Sequence, residues 1–225
     1  MTSLLTARAV HKSFARTEAL RGISLEVTAG EAVAITGPSG SGKSTLLLCL
    51  AGILRPESGE VSYDGRRLDQ MGEAQRSVLR RRDFGIVLQF GQLLPELTVV
   101  QNVALPLLLE GHGRVESQRA ARSWLERLAV VETADAFPAA LSGGEQQKVA
   151  VARALVTGPK VVFADEPTGA LDTVAGEQVL GQLLGAVRDS GSTLIMVTHD
   201  NRVAARADRE IALRDGLVEK AEVGA

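Results

Sequence analysis

The chain has 225 residues, a formal net charge of −2 and a hydrophobic content of 45%. These values predict a soluble globular protein with a sizeable core, and the near-neutral charge argues against a nucleic-acid partner. The single cysteine, Cys49, excludes a disulfide framework. No apolar run reaches the roughly 18 residues that span a bilayer, so any membrane role requires a partner that supplies the spans.

The first part of the chain predicts strands that lead into one helix. Residues 4–14 and 23–37 are typical of β-strands with short alternations, and residues 43–54 ("KSTLLLCLAGIL") are typical of a helix. A turn at 55–60 and a short strand at 61–65 follow. We therefore expect a β-rich N-terminal subdomain.

The rest of the chain alternates predicted helices with apolar strands. In chain order these are a basic amphipathic segment at 73–82, a strand at 84–89, helices across 98–131 interrupted at 110–113, a helix at 142–157, a strand at 160–165, a helix at 173–189, a strand at 192–199 and a hairpin at 211–220. The β-branched runs are typical of buried parallel strands. The pattern predicts one α/β domain over residues 1–225, with a helical subdomain inserted at about 90–157.

A glycine-rich loop is predicted at residues 37–45, "GPSGSGKST". It follows the strand "AVAIT" and opens a helix, which is the context that a phosphate-binding P-loop requires. Its backbone N–H groups would face phosphate oxygens, with Lys43 at the β- and γ-phosphates, Ser44 at Mg²⁺ and Thr45 at the α-phosphate. The candidate phosphate-binding residues are Gly37, Pro38, Ser39, Gly40, Ser41, Gly42, Lys43, Ser44 and Thr45.

Two adjacent carboxylates end the apolar strand in "KVVFADEP", residues 160–167. At the carboxyl edge of a parallel sheet, such groups point into the ligand crevice. Asp165 fits the aspartate that partners Mg²⁺ in P-loop proteins, and Glu166 is then free to polarise an attacking water as general base. The alternative is that the two carboxylates cap the next turn.

Two further strand ends carry polar side chains. His199 ends the strand in "STLIMVTHD", where it could reach a γ-phosphate, and Gln89 ends "FGIVLQ". A lone histidine or glutamine in such a place is usually structural. Beside a P-loop, we interpret His199 as a phosphate sensor and Gln89 as a ligand of the metal or of the attacking water.

The stretch "LSGGEQQKVAVARAL", residues 141–155, predicts a second phosphate site. Ser142 and Glu145 have the S-x-x-E spacing of a capping box. Yet Gly143 and Gly144 occupy the first helical turn, where glycine costs backbone entropy. Bare N–H groups at a helix N-terminus suit an anion. The alternative is a capping box whose glycines are incidental.

These motifs together resemble the nucleotide-binding subunits of ABC transporters, over essentially the whole chain and in the same order. The discriminating motif is "LSGGEQQ", because other P-loop proteins lack it; the "GALD" of residues 169–172 also matches. Glu145 and Lys148 depart mildly, since many members have glutamine and arginine there. The resemblance implies an α/β P-loop ATPase fold of the ABC type, with a mixed or parallel sheet core and an inserted helical subdomain.

In that family, two subunits face head to tail and hold two ATP molecules between them. The resemblance therefore implies a homodimer that binds ATP and Mg²⁺, in which residues 142–145 complete the partner's phosphate site. It also implies that Phe14 stacks on adenine and that Asp172 lies at the dimer seam. The alternative for Phe14 is a place in the core.

The apolar stretch at residues 88–113 resembles one branch of the family, which includes the ATPases of lipoprotein release, of macrolide and antimicrobial-peptide export, and the cell-division ATPase FtsE. Its members work at the cytoplasmic face of the membrane with FtsX-like permeases. We expect this stretch to serve both as helical core and as a permease-docking groove.

Other functions stay open at this stage. Within the family, the alternative is an FtsE-like regulator of the cell wall that exports nothing. A soluble ABC ATPase of DNA repair, chromosome structure or translation would carry coiled coils, zinc modules or a second ATPase domain, and none is visible. A small-molecule P-loop kinase would not explain "LSGGEQQ".

Overall fold

The computed structural model describes residues 3–89 and 91–223, which form two compact units. Unit 1 comprises the described residues up to 80 and from 193 onward, and unit 2 comprises Arg81–Ser192. The elements are β1 (Ser3–Phe14), β2 (Thr17–Thr28), β3 (Ala32–Thr36), α1 (Lys43–Leu50), β4 (Ser58–Tyr63), β5 (Arg66–Arg67), α2 (Glu73–Asp83), β6 (Phe84–Val87), α3 (Val99–Leu109), α4 (Arg114–Arg127), α5 (Gly143–Leu155), β7 (Val161–Asp165), α6 (Thr173–Ser190), β8 (Thr193–Val197), α7 (Asn201–Ala204), β9 (Arg209–Arg214) and β10 (Leu217–Val223). This order confirms the predicted alternation of strands and helices.

Unit 1 contains an antiparallel sheet with the strand order β2-β1-β4-β5. Strand β4 begins at Ser58, so the turn predicted at 55–60 is shorter than expected. Gly59 has a φ of 88° and lies where the pairing of β4 with β1 shifts register between Arg8 and His11. A glycine in a strand often marks such a bulge. The bulge lets the strand continue through residues that resemble a turn in sequence.

Unit 1 also contains the strands β10, β9, β3 and β8, in that order. The hairpin of β9 and β10 is antiparallel, whereas β3 runs parallel to both β9 and β8. Every residue of β3 and of β8 is buried, as expected for strands covered on both faces. This set of strands is therefore mixed, with a parallel centre.

Helix α1 packs beside these strands and buries Leu46, Leu47 and Cys49. It ends at Leu50, four residues before the predicted end at 54. Burial raises the pKa of the Cys49 thiol to about 11, so the thiol stays protonated and unreactive. Cys49 is a core residue.

Unit 2 combines the parallel pair β6 and β7 with four helices. The rings of Phe84 and Phe163 meet edge to face across this pair, with centroids 5.1 Å apart. Helices α3, α4 and α5 contact one another, and α5 also contacts α6 and β6. The sequence predicts a helical subdomain at about 90–157, and these bounds stay a proposal.

None of the helices in the described part of the chain is long and apolar enough to cross a membrane.

Candidate functional site

The loop after β3 has the backbone of a P-loop. Gly37 and Gly42 have φ values of 138° and 99°, which side-chain-bearing residues rarely adopt. A Cβ would also strike the carbonyl oxygen of Leu213 at Gly37, and that of Ala19 at Gly42. Gly42 is the N-cap of α1 and supplies no side-chain cap, so the first turn presents its N–H groups to an incoming anion.

Lys43 is held over this loop. Its ammonium donates to the carbonyl oxygens of Gly37 at 2.8 Å and of Pro38 at 2.9 Å, and the residue is only 8% exposed. Ser44 is exposed at the start of α1, and Thr45 is half-buried behind it. Pro38, Ser39 and Gly40 are exposed, whereas Ser41 is buried. The loop therefore has its positive charge already in place.

His199 and the P-loop follow the carboxyl ends of two neighbouring strands of unit 1. Ile35 of β3 pairs with Val197 of the parallel strand β8, and the N–H of Thr198 donates to the Ile35 carbonyl at 3.1 Å. The strand ends at Val197, so His199 lies two residues beyond it, before the N-cap Asp200. His199 therefore follows the carboxyl end of β8, beside the carboxyl end of β3 from which the P-loop begins.

Phe14 ends β1 in unit 1 and is 48% exposed, so it is not a core residue. The ammonium of Lys12 lies 5.5 Å from the centre of its ring. Strand β2, which pairs with β1, meets the P-loop where Ala19 approaches Gly42. The hairpin that carries Phe14 thus borders the loop.

Unit 2 brings Gln89, Asp165 and Glu166 to one edge. Asp165 is the last residue of β7, and the neighbouring strand β6 ends at Val87, which pairs with Ala164. A Cβ at Gly169 would lie 3.2 Å from the Glu166 Cβ and 3.4 Å from the Gln89 Nε2. Because Gly169 has no side chain, Gln89 and Glu166 can both lie close to its Cα.

Glu166 has a φ of 45°, in the left-handed region. This conformation costs a residue with a Cβ about 1–2 kcal/mol. The turn after β7 therefore holds the Glu166 side chain in a direction that ordinary extended backbone would not give it. Strained backbone of this kind is common at functional sites.

The predicted capping box is present at the N-terminus of α5. The Ser142 Oγ accepts from the N–H of Glu145 at 3.3 Å, and the Glu145 carboxylate accepts from the N–H and the Oγ of Ser142 at 2.8 and 2.6 Å. These bonds hold the pKa of Glu145 below its usual range. Asp172, which the sequence placed at a dimer seam, is the N-cap of α6 and accepts from the N–H groups of Val174 and Ala175.

Within the protomer, neither the backbone nor the packing requires glycine at Gly143 and Gly144, which follow Ser142. Gly143 and Gly144 are helical, and neither has a positive φ. A Cβ would be 3.6 Å from Leu171 at the first position and 3.4 Å from Ala175 at the second, which is ordinary contact. Alanine would fit both places and suit the helix better.

Two polar residues that the sequence analysis did not identify form hydrogen bonds with the backbone of residues 91–98. Asn102 of α3 is fully buried, and its side chain bonds Leu94, Leu97 and Thr98. Arg153 of α5 donates to the carbonyl oxygens of Gly91 and Gln92. An asparagine inside the apolar run "VVQNVALPLLL" could have signalled the first, but no local pattern marks the second.

Comparison with known proteins places this geometry in context. The family model described as "ABC transporter" matches residues 20–169. The chain is 41% identical to the lipoprotein-releasing system ATP-binding protein LolD of Shewanella denitrificans over 225 residues, covering 98% of this chain and 97% of that protein. It is 48% identical to the uncharacterized ABC transporter ATP-binding protein YbbA of Escherichia coli K12, covering 89% and 88%.

Among solved structures, the chain is similar to the dimeric bacterial ABC transporter cassette MJ0796. The TM-score is 0.92 at 37% identity, over 98% of this chain and 99% of that one. A second structure of MJ0796 is a dimer in a post-hydrolysis state, bound to ADP and Pi, with the same TM-score at 36% identity.

Proposed function

The chain belongs to the ABC transporter family, and we propose that it is the ATP-hydrolysing subunit of a complex with an FtsX-like permease. Its fold is the P-loop ATPase fold of the ABC type, as the sequence predicted. In the proposed complex, two copies of the chain form a homodimer at the cytoplasmic face of the membrane. ATP-driven closure of that dimer moves the permease.

The observation that carries the proposal is the pair Gly143 and Gly144. Because the protomer's own packing and backbone tolerate a Cβ at both, the glycines serve something that comes from outside it. The exposed N-terminus of α5, with its helix dipole, suits a phosphate. In a head-to-tail dimer, this phosphate belongs to the ATP bound at the partner's P-loop, as in the family that the sequence resembles.

We propose these roles for the site residues. Residues 37–45 bind the phosphates, with the Lys43 ammonium opposite the β- and γ-phosphates. Glu166 accepts a proton from the attacking water. His199 contacts the γ-phosphate, and Phe14 stacks on the adenine.

The donor set fits Mg²⁺. Ser44, Gln89 and Asp165 offer a hydroxyl, an amide oxygen and a carboxylate, and magnesium prefers such oxygen ligands together with phosphate and water. No group of three or more His, Cys, Asp or Glu side chains in the described residues could hold a metal alone. The ion would neutralise charge on the phosphates.

The similarity to LolD supports a permease of the lipoprotein-release branch, with lipoprotein, peptide or a drug-like molecule as substrate. Leu94, Leu108 and Leu109 are 42%, 37% and 59% exposed on unit 2. They lie in the stretch 88–113, where we place the permease-docking groove. An FtsE-like role without transport remains the alternative function, and it would use the same groove.

We expect Leu109→Asp to uncouple the ATPase from its permease, because a carboxylate would have to be desolvated on docking. Basal ATP hydrolysis by the isolated subunit should stay at the wild-type rate. The measurement is co-purification with the permease and permease-dependent stimulation of ATPase activity in lipid nanodiscs. The control is Val115→Asp, on an apolar residue of α4 outside the stretch that is more exposed still, at 73%. Normal stimulation of the Leu109→Asp protein would contradict the docking assignment.

We expect Lys43→Ala to weaken binding of Mg-ATP at least tenfold. Its ammonium is preorganised by two loop carbonyls, and losing a charge-assisted contact costs about 1.5–3 kcal/mol. Isothermal titration calorimetry on the monomer measures the affinity directly. Lys160→Ala, at an exposed lysine of unit 2, is the control. Equal affinities for wild type and Lys43→Ala would refute the assignment.

A further inference from the structure

Leu88, Gly91 and Gln92, which flank Gln89 in the sequence, contact one face of α5. The Nε2 of Gln147 donates to the Leu88 carbonyl at 3.4 Å. A Cβ at Gly91 would lie 3.0 Å from the Gln146 carbonyl and 3.6 Å from the Ala150 Cβ. These positions follow one another along a single side of the helix. The same helix begins at residues 142–145 of the "LSGGEQQ" motif, which we call the signature.

Arg153, in the last turn of α5, makes the strongest of these contacts. Its guanidinium donates to the Gly91 carbonyl at 2.9 Å and to the Gln92 carbonyl at 3.0 Å. Gln92 has a φ of 44°, so its backbone is held in the left-handed region. The planar guanidinium presents its N–H donors in a rigid fork, which holds the two successive carbonyls in a defined geometry.

Arg153 is half-buried, and its charged group is turned to backbone carbonyls. Desolvation lowers the pKa of Arg153, which is unfavourable for a group that must remain charged. Its partners are carbonyls, not a carboxylate. An aliphatic side chain would fill the same space without that penalty.

We propose that Arg153 is a positioning residue for Gln89: it fixes Gly91 and Gln92, two and three residues after Gln89, to the helix that begins at the signature. Asn102 holds the other end of this loop through Leu94, Leu97 and Thr98, so the segment is anchored on both sides. The inference rests on the proposed role of Gln89 at the metal or the attacking water.

A double-mutant cycle tests the inference. We expect Arg153→Met to lower kcat about tenfold with a smaller change in KM, since slight misplacement of an orienting group is costly. Gln89→Ala should lower kcat at least as much, and the double variant should be no slower than Gln89→Ala alone. Arg153→Lys keeps the positive charge and N–H donors on a single nitrogen and should recover part of the rate. Arg122→Met, at an exposed arginine of the same unit, should match wild type.

Amide hydrogen exchange gives a readout that does not depend on turnover. In the Arg153→Met monomer without nucleotide, exchange should rise in peptides covering residues 88–98 and stay unchanged in α4 and α6. Rate losses of Arg153→Met and Gln89→Ala that multiply, or exchange that rises throughout unit 2, would overturn the inference. A Gln89→Ala protein as fast as wild type would instead contradict the role of Gln89 itself.

Discussion

We expect the Glu166→Gln protein to bind Mg-ATP like wild type and to hydrolyse it about 10²–10⁴ times more slowly. Glutamine keeps the shape and hydrogen bonding of glutamate but cannot accept a proton. The left-handed backbone at Glu166, with a φ of 45°, accepts both residues equally, so the fold is unaffected. Binding survives because the Mg²⁺ contact is assigned to Asp165.

The consequence for assembly is as informative as the rate. If hydrolysis reopens the dimer, Glu166→Gln should stay closed on ATP, and light scattering with and without Mg-ATP would report a stable dimer. Glu132→Gln, at an exposed glutamate of unit 2, is the matched control and should behave as wild type. A Glu166→Gln protein that hydrolyses at a near wild-type rate would disprove the assignment. The rate decides, since weak dimer affinity without the permease could hide the closed state.

We expect Gly143→Asp to abolish turnover while ATP binding by the monomer survives. The new carboxylate would occupy the helix N-terminus that should receive a phosphate, and would repel it. Lys43 and the rest of the P-loop are unchanged, so calorimetry on the monomer should give the wild-type affinity. A mixture of Lys43→Ala and Gly143→Asp subunits should keep at most one competent site per dimer.

Gly143→Ala refines this test. A Cβ there is 3.6 Å from its nearest neighbour, so the protomer should be as stable as wild type or slightly more so. If turnover nevertheless falls, the Cβ is obstructing something outside the protomer. Gly181→Ala in α6, where nothing lies within 4 Å of a new Cβ, is the control and should leave the rate unchanged. Normal hydrolysis by Gly143→Asp would show that the N-terminus of α5 does not complete the phosphate site of the partner protomer.

The amino-acid sequence alone predicts the fold of this protein and its main motifs. Loop conformation and helix capping depend on a few neighbouring residues. The motifs "GPSGSGKST" and "LSGGEQQ" therefore each specify a turn and a helix start that can be recognised without tertiary information. The buried strands β3, β7 and β8 were predictable because a strand covered on both faces requires a continuous apolar run. The capping box at Ser142 has a fixed spacing for the same local reason.

Only the tertiary structure decided which distant residues meet. Arg153 lies more than sixty positions from Gly91, and nothing in a helical stretch predicts that its guanidinium reaches that carbonyl. Gly169 is an ordinary loop glycine in sequence, and the fold alone shows that its missing Cβ makes room for Gln89 beside Glu166. Such contacts depend on how helices and strands pack, and packing is set by the whole chain, whereas caps and turns are set by a few neighbouring residues.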